Sequence, residues 1–224
     1  MAGIIREYVC SAQPVGSKFL ASNFGFKVSP ATIRNEMSDL ENEGYICQPH
    51  TSAGRVPTAS GYRFYIEHFL QPRELSRREE KGFRKIKKAG ENPEAFLKET
   101  ARLLAEFSAE AAIVGFGPKD VFYTGLSNLF SQPEFKEAGS VCRISEVLDH
   151  LDWVVEKLFS RLDGEVKVLV GGENPFGESC GAVFSRYDLD GLPAGMFGIL
   201  GPLRMDYERN VSLVKYVKNM ISGN

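Results

Sequence analysis

Residues 28–45 read V-S-P-A-T-I-R-N-E-M-S-D-L-E-N-E-G-Y, a stretch that carries both a start and a stop signal for a helix. A serine before a proline predicts a helix start. The serine hydroxyl can accept a hydrogen bond from a free amide, and a proline at the first helical position has no amide to lose. Gly44 is typical of a helix end. We therefore expect a helix over 30–43.

The two sides of this helix differ in chemistry. Ile33, Met37 and Leu40 lie within about 60° of one another at 100° per residue, which predicts a buried stripe. The remaining surface offers small side chains, hydroxyls, a carboxamide and a guanidinium, which are groups that fit the major groove of DNA. A solvated polar face is the alternative, and the helix alone leaves both open. The candidate DNA-binding residues here are Ser29, Ala31, Thr32, Arg34, Asn35 and Ser38.

Two shorter apolar patterns precede this helix. Residues 4–9 have the spacing of an amphipathic helix. After a break at Pro14, a second pattern predicts another helix, which ends in a tight turn at Gly25. The apolar face of this second helix is expected to carry Val15, Phe19, Leu20 and Phe24.

A loop rich in glycine and proline follows. Residues 48–61 read Q-P-H-T-S-A-G-R-V-P-T-A-S-G, after a short strand expected at 45–47. The loop hydroxyls and amides can donate to phosphates, and Arg55 can enter a minor groove, although a plain surface loop is the alternative. Three helices, a strand and this loop together predict a winged helix-turn-helix domain over 1–72, with its wing at 48–57. The candidate DNA contacts of the wing are His50, Thr51, Ser52, Gly54 and Arg55.

The rest of the chain predicts a helical connector over 73–107 and an α+β domain over 108–224. The connector begins with a basic stretch at 75–89, whose cations could reach phosphates or could form a solvated helix face. The strand-like runs lie at 111–116, 166–170 and 194–201, and the helix-like runs lie at 147–159 and 207–221.

Charge is distributed unevenly along the 224 residues, whose formal net charge is −2. Residues 1–72 carry 6 Lys+Arg and 6 Asp+Glu, residues 73–90 carry 8 and 3, and residues 91–224 carry 13 and 20. This asymmetry favours an anionic partner near the N-terminal half. No segment approaches the length of a membrane span and no signal peptide is evident, so we expect a cytoplasmic protein.

Catalytic and metal chemistry are not expected. The run G-G-E-N-P-F-G at 171–177 lacks the Lys-Ser or Lys-Thr of a phosphate loop, and His150 and Asp152 have no nucleophile set by spacing. The cysteines form no C-x-x-C pair, so we predict neither a metal site nor a disulfide framework, and no cofactor. The four reduced thiols are expected at Cys10, Cys47, Cys142 and Cys180.

Several long motifs of the chain are specific enough to compare with known families. They are P-V-G-S-K at 14–18, the stretches at 28–45 and 48–65, G-L-S-N-L-F-S-Q-P-E-F at 125–135, G-G-E-N-P at 171–175 and I-L-G-P-L-R-M-D-Y-E-R at 199–209. These motifs resemble the HrcA family of bacterial heat-inducible transcription repressors. The resemblance implies a GAF-like C-terminal domain, a homodimer on double-stranded DNA at an inverted-repeat operator upstream of chaperone operons, and modulation by the chaperonin GroEL.

The sequence departs from this family at one place. HrcA-like proteins usually carry an inserted dimerising domain, but here the strand-like run at 111–116 leads through 117–120 directly into the next segment. We therefore expect a shortened member that dimerises through the GAF-like domain, with or without the helix at 93–107. The alternative function is a winged-helix regulator of other genes whose GAF-like domain senses a small molecule. An apolar cavity would favour this alternative and a filled core would reject it. A third hypothesis is that the C-terminal domain has a purely structural role in assembly.

Overall fold

The computed structural model describes residues 1–89, 92–117, 120–136 and 145–222, with 87–89 as backbone only. The chain forms two compact units, Met1–Leu70 and Gln71–Asn224. The first boundary therefore falls two residues before the expected one. The segment expected to be a separate connector forms two helices that belong to the second unit. Cys142 lies outside the described residues, whereas Cys10, Cys47 and Cys180 are free thiols.

The N-terminal unit contains four helices and a small hairpin. Its two short strands pair in antiparallel fashion, with Ile46 opposite Pro57. In chain order the elements are α1 (Ala2–Ser11), α2 (Ser17–Asn23), α3 (Pro30–Asn42), β1 (Ile46–Cys47), β2 (Val56–Pro57) and α4 (Ala59–Phe69).

The start, the end and the buried stripe of α3 follow the predicted signals. The Ser29 side chain accepts a hydrogen bond from the Thr32 amide at 3.1 Å, which satisfies one of the free amides at the helix start. Ile33 and Met37 are buried against α1, α2 and β1, and Leu40 is half-buried at the edge of the same cluster. Gly44 has a left-handed φ of 80°, which glycine adopts without a steric penalty.

The prediction for Val15 was wrong in its secondary structure. Val15 precedes α2 and pairs with the wing: its amide donates to the Arg55 carbonyl at 2.9 Å, and the Arg55 amide donates to the Val15 carbonyl at 2.8 Å. The Val15 side chain is nevertheless buried in the same core as Leu20. The apolar pattern therefore identified a core residue, but a contact forty residues away decided its backbone conformation.

The second unit is built on a five-stranded sheet with the order β4-β3-β7-β6-β5, in which every neighbouring pair is antiparallel. The expected strand-like and helix-like runs form elements, whereas β4 and β6 were not predicted. The elements are α5 (Arg77–Ala89), α6 (Pro93–Ser108), β3 (Ala111–Gly115), β4 (Val121–Thr124), α7 (Leu126–Ser131), α8 (Leu151–Phe159), β5 (Lys167–Val170), β6 (Cys180–Tyr187), β7 (Gly195–Pro202) and α9 (Tyr207–Ile221).

Both faces of this sheet are covered. α8 packs on the face that carries Ile113, Phe184 and Met196. The alternate residues of the strands, among them Val114 and Phe197, point to the opposite side, where α6 contacts β3 and α9 contacts β6. The chain is therefore α+β, with helices on both sides of the second unit's sheet. No helix within the described ranges is long and apolar enough to cross a membrane.

Candidate nucleic-acid interface

The exposed side of α3 presents several polar side chains that the fold does not use, among them Arg34 and Asn35. Arg34 and Asn35 are exposed, and neither side chain bonds to another described residue. The three hydroxyls nearby make hydrogen bonds within the helix or at its start. The Ser29 hydroxyl caps the helix start and lies 3.0 Å from the Thr32 hydroxyl, and the Ser38 hydroxyl donates to the Arg34 carbonyl at 3.1 Å. A guanidinium and a carboxamide thus remain available to an external partner, beside the small side chain of Ala31.

The tip of the wing is a tight turn. The Ala53 amide donates to the His50 carbonyl at 3.0 Å, and Ser52 adopts a left-handed φ of 73°. The Gln48 side-chain amide braces the turn by donating to the Ala53 carbonyl at 3.0 Å. His50, Thr51 and Ser52 are all exposed at this tip.

Arg55 is held differently from the other wing residues. Its Nε and Nη2 atoms both lie 2.8 Å from Oε2 of Glu41 on α3. Its side chain is only 19% exposed. In this structure the guanidinium ties the wing to α3 rather than extending away from it toward a groove.

The glycines of the loop are explained by close approaches of the backbone. A Cβ atom on Gly54 would lie 2.5 Å from the carbonyl carbon and oxygen of Val15, and one on Gly61 would lie 2.0 Å from the Tyr45 oxygen. Thr58 links the same elements, because its hydroxyl accepts from the Gly61 amide at 3.1 Å and donates to the Gly44 carbonyl at 2.6 Å. The loop composition therefore serves the packing of the wing against its neighbours.

A groove of about 450 Å³ lies between the start of α2, α3 and the wing. It brings Arg34 together with Ser52, Gly54 and Arg55. Gly16, Ser17 and Lys18 also line the groove but were not predicted as site residues, because the Val15–Arg55 pairing that places the start of α2 beside the wing leaves no local signal. Gln48 and Ala53 lie within the predicted wing but were not predicted as contacts.

A small cavity lies in the core of the second unit. The cavity lined by Gly115, Val155, Phe159 and Met196 has a volume of about 50 Å³. Ligand pockets for drug-sized molecules have volumes of about 300–1,000 Å³, so this cavity holds no such ligand. Within the described ranges, no cluster of three or more His, Cys, Asp or Glu side chains could hold a metal ion.

The motifs of the second unit hold its elements together. The Asn128 side chain donates to the carbonyls of Ala105 and Glu110, at 3.3 and 3.1 Å, and so satisfies the end of α6. Arg204 pairs with Glu134 and donates to the Gln132 side chain at 2.7 Å. Burial of the neighbouring Glu110 raises its pKa to about 8. Contacts within the second unit therefore account for Asn128 and Arg204, and no bound ligand is needed to explain these residue types.

The family model and the similar curated proteins that match this sequence all carry the same family name. The model of the family described as "HrcA protein C terminal domain" matches residues 61–211. A heat-inducible transcription repressor HrcA from Carboxydothermus hydrogenoformans is 29% identical over 325 aligned positions, which cover 99% of this chain and 95% of the relative. The HrcA of Shouchella clausii is 25% identical over 315 positions, with 94% and 92% covered. Because this chain has 224 residues, about 100 positions of each alignment have no counterpart in it.

One solved structure has a similar fold. It is described as "Crystal structure of a hypothetical protein at 2.2 A resolution" and superposes with a TM-score of 0.74 at 20% identity. The match covers 98% of this chain and 94% of that chain. At this level of identity the likeness concerns the fold alone.

Proposed function

The chain belongs to the HrcA family of heat-inducible transcription repressors, and from this premise we propose that its N-terminal unit is a winged helix-turn-helix domain that binds an inverted-repeat operator of chaperone operons. The observation that carries the proposal is the pair Arg34 and Asn35, exposed on α3 and unused by the fold. The second unit then corresponds to a GAF-like domain.

The roles of the α3 residues follow from their chemistry. A helix fits the major groove, where asparagine can bond to adenine through two hydrogen bonds and arginine to guanine or phosphate. Ala31 and Thr32 lie one turn before Asn35 and provide small contacts for a thymine methyl group. Because the hydroxyls of Ser29 and Ser38 already bond within the helix, we assign them a supporting role.

The wing is proposed to contact the sugar-phosphate backbone. His50, Thr51 and Ser52 are exposed at the tip, and hydroxyls and imidazole nitrogens are suitable donors to phosphates. Gly54 and Arg55 are proposed to act by holding the wing in position, since the first permits the close approach to Val15 and the second pairs with Glu41.

The test compares variants of α3 on operator and scrambled DNA. Arg34→Ala and Asn35→Ala should each lose about 1–3 kcal/mol of binding free energy on the operator and much less on scrambled DNA. Asn42→Ala is the matched control, because it removes a carboxamide from the same helix about 10 Å further along. Equal losses on both DNAs would place Arg34 and Asn35 among phosphate contacts and refute base reading.

We also propose that the chain is a shortened family member that dimerises through its second unit, since an inverted repeat requires two recognition helices at a fixed separation. β3 and β4 are paired as neighbouring antiparallel strands, and the Phe116 amide donates to the Asp120 carbonyl at 2.8 Å, which supports the absence of an insert between these strands. Leu104 and Phe107 are buried within the protomer, so α6 is not expected to supply an apolar dimer face.

Sedimentation tests this proposal. The whole chain should sediment as a dimer and a chain ending at residue 72 as a monomer that binds one half-site. A whole chain that stays monomeric at micromolar concentration, with and without DNA, would contradict it. Modulation by GroEL stays a prediction from the family resemblance. The ligand-sensing alternative is disfavoured by the small volume, about 50 Å³, of the cavity lined by Gly115, Val155, Phe159 and Met196.

A further inference from the structure

The rotation of α5 about its axis is fixed by contacts on one side. Phe83 is fully buried and packs edge-on against Phe107, with ring centroids 5.5 Å apart. Glu79 is also buried and accepts a hydrogen bond from Arg209 on α9 at 2.8 Å. The opposite side of the helix must therefore face outward.

That outward side is a row of cations. Arg77, Lys81, Arg84 and Lys85 are exposed and, with Glu80, line a shallow surface groove of about 460 Å³. Positions separated by four, seven and eight residues share one helix face, so the row extends for about 12 Å. We call these four residues the basic face of α5.

Most of the charge on this face is not compensated by any residue that the structure describes. Glu80 pairs with Arg84 at 3.2 Å. The cations of Arg77, Lys81 and Lys85 make no hydrogen bond or ion pair with any described residue. On the flank of the helix, by contrast, Arg78 pairs with Glu106 at 2.7 Å.

The charge balance of the chain indicates what the basic face binds. Much of the affinity of proteins for DNA comes from cations that neutralise phosphates, independently of sequence. Residues 1–72 have equal numbers of Lys+Arg and Asp+Glu, so the unit proposed to read the operator brings no net positive charge. The excess of 8 over 3 lies in residues 73–90, which contain α5, whereas residues 91–224 are acidic.

We infer that the basic face of α5 binds DNA phosphates beside the segment occupied by the N-terminal unit and supplies a sequence-independent part of the affinity. This inference rests on the proposed function. Residues 71–76 separate Leu70 from Arg77, and six residues span at most about 20 Å, so α5 begins within reach of the flanking duplex.

The experiment measures the salt dependence of DNA binding by the full chain. The triple variant Arg77→Gln, Lys81→Gln and Lys85→Gln removes three unpaired cations and keeps Arg84. The control variant Lys136→Gln, Lys157→Gln and Lys215→Gln removes the same charge from other exposed positions of the second unit. Binding to operator and scrambled DNA is titrated between 50 and 200 mM salt, and circular dichroism reports folding.

Each lost phosphate contact should lower the slope of log K against log salt by about 0.9, so the triple variant should lose about 2–3 in slope. Its affinity should fall at least about tenfold at 0.1 M salt, by the same factor on operator and scrambled DNA. The control should behave like the parent chain. If the triple variant unfolds, Lys81→Gln and Lys85→Gln singly should each lower the slope by about 1.

The outcomes separate the two proposals. If the parent chain does not distinguish operator from scrambled DNA, the proposed function fails whatever α5 does. If the parent distinguishes them but the α5 variant matches the control in slope and affinity, the inference about α5 is overturned and the proposed function stands. That second result would leave the basic face to another anionic partner, such as an acidic protein surface.

Discussion

The ion pair between Arg55 and Glu41 allows a test of whether Arg55 positions the wing or contacts DNA directly. The Arg55 Nε donates a hydrogen bond to Oε2 of Glu41, and Nη2 forms an ion-pair contact with the same oxygen, both at 2.8 Å. The two side chains are 19% and 30% exposed, so solvent screens the pair only in part. Hydrogen bonds to charged groups contribute about 1.5–3 kcal/mol, and exposed ion pairs at most about 1 kcal/mol. We expect a coupling free energy of about 1–2 kcal/mol, between these limits.

The perturbation is a double-mutant cycle with Arg55→Ala and Glu41→Ala. Each variant should lower the free energy of unfolding by about 1–2 kcal/mol, and the double variant should cost little more than either alone. Both single variants should also weaken operator binding, because the wing loses its attachment to α3. This result is informative for Glu41, since removing a negative charge near DNA would by itself strengthen binding.

Urea unfolding and operator titration at one fixed salt concentration provide the two measurements. Glu43→Ala is the charge-matched control, because Glu43 is exposed at the end of the same helix and pairs with no described cation. The reasoning is refuted if Arg55→Ala weakens operator binding while Glu41→Ala leaves it unchanged or strengthens it. Arg55 would then contact DNA directly, in agreement with the prediction from the sequence that it can enter a minor groove.

Two further predictions concern the cores. Met37→Ala should lower the free energy of unfolding by about 2–5 kcal/mol, because Met37 is buried between α1, α2 and β1; lost operator binding at an unchanged melting temperature would contradict this. Burial raises the pKa of Glu110 from 4.5 to about 8. The protonated Glu110 side chain therefore contributes fully to the free energy of unfolding below pH 4.5, and this contribution is lost as the pH rises through 8. Glu110→Gln should therefore raise the melting temperature more at pH 8.5 than at pH 5, and equal shifts would refute this assignment.

The helix that anchors the candidate site could be predicted from the sequence because its signals are local. Ser29 and Pro30 specify its start, Gly44 specifies its end, and the spacing of Ile33 and Met37 specifies its buried side. Each of these depends on hydrogen bonds or packing geometry within one or two helical turns. The exposure of Arg34 and Asn35 follows from the same periodicity.

The arrangement around that helix was decided by contacts between distant parts of the chain. Val15 has the same apolar character in a helix or a strand, and only its pairing with Arg55 selects the extended backbone. The glycine at 54 is required by the approach of Val15, which no local pattern shows. β4 and β6 likewise exist because neighbouring strands accept their hydrogen bonds. Periodicity and capping are properties of residues that are close in the sequence. Strand pairing and close backbone contacts depend instead on which distant segment packs against a residue, and only the tertiary structure determines that segment.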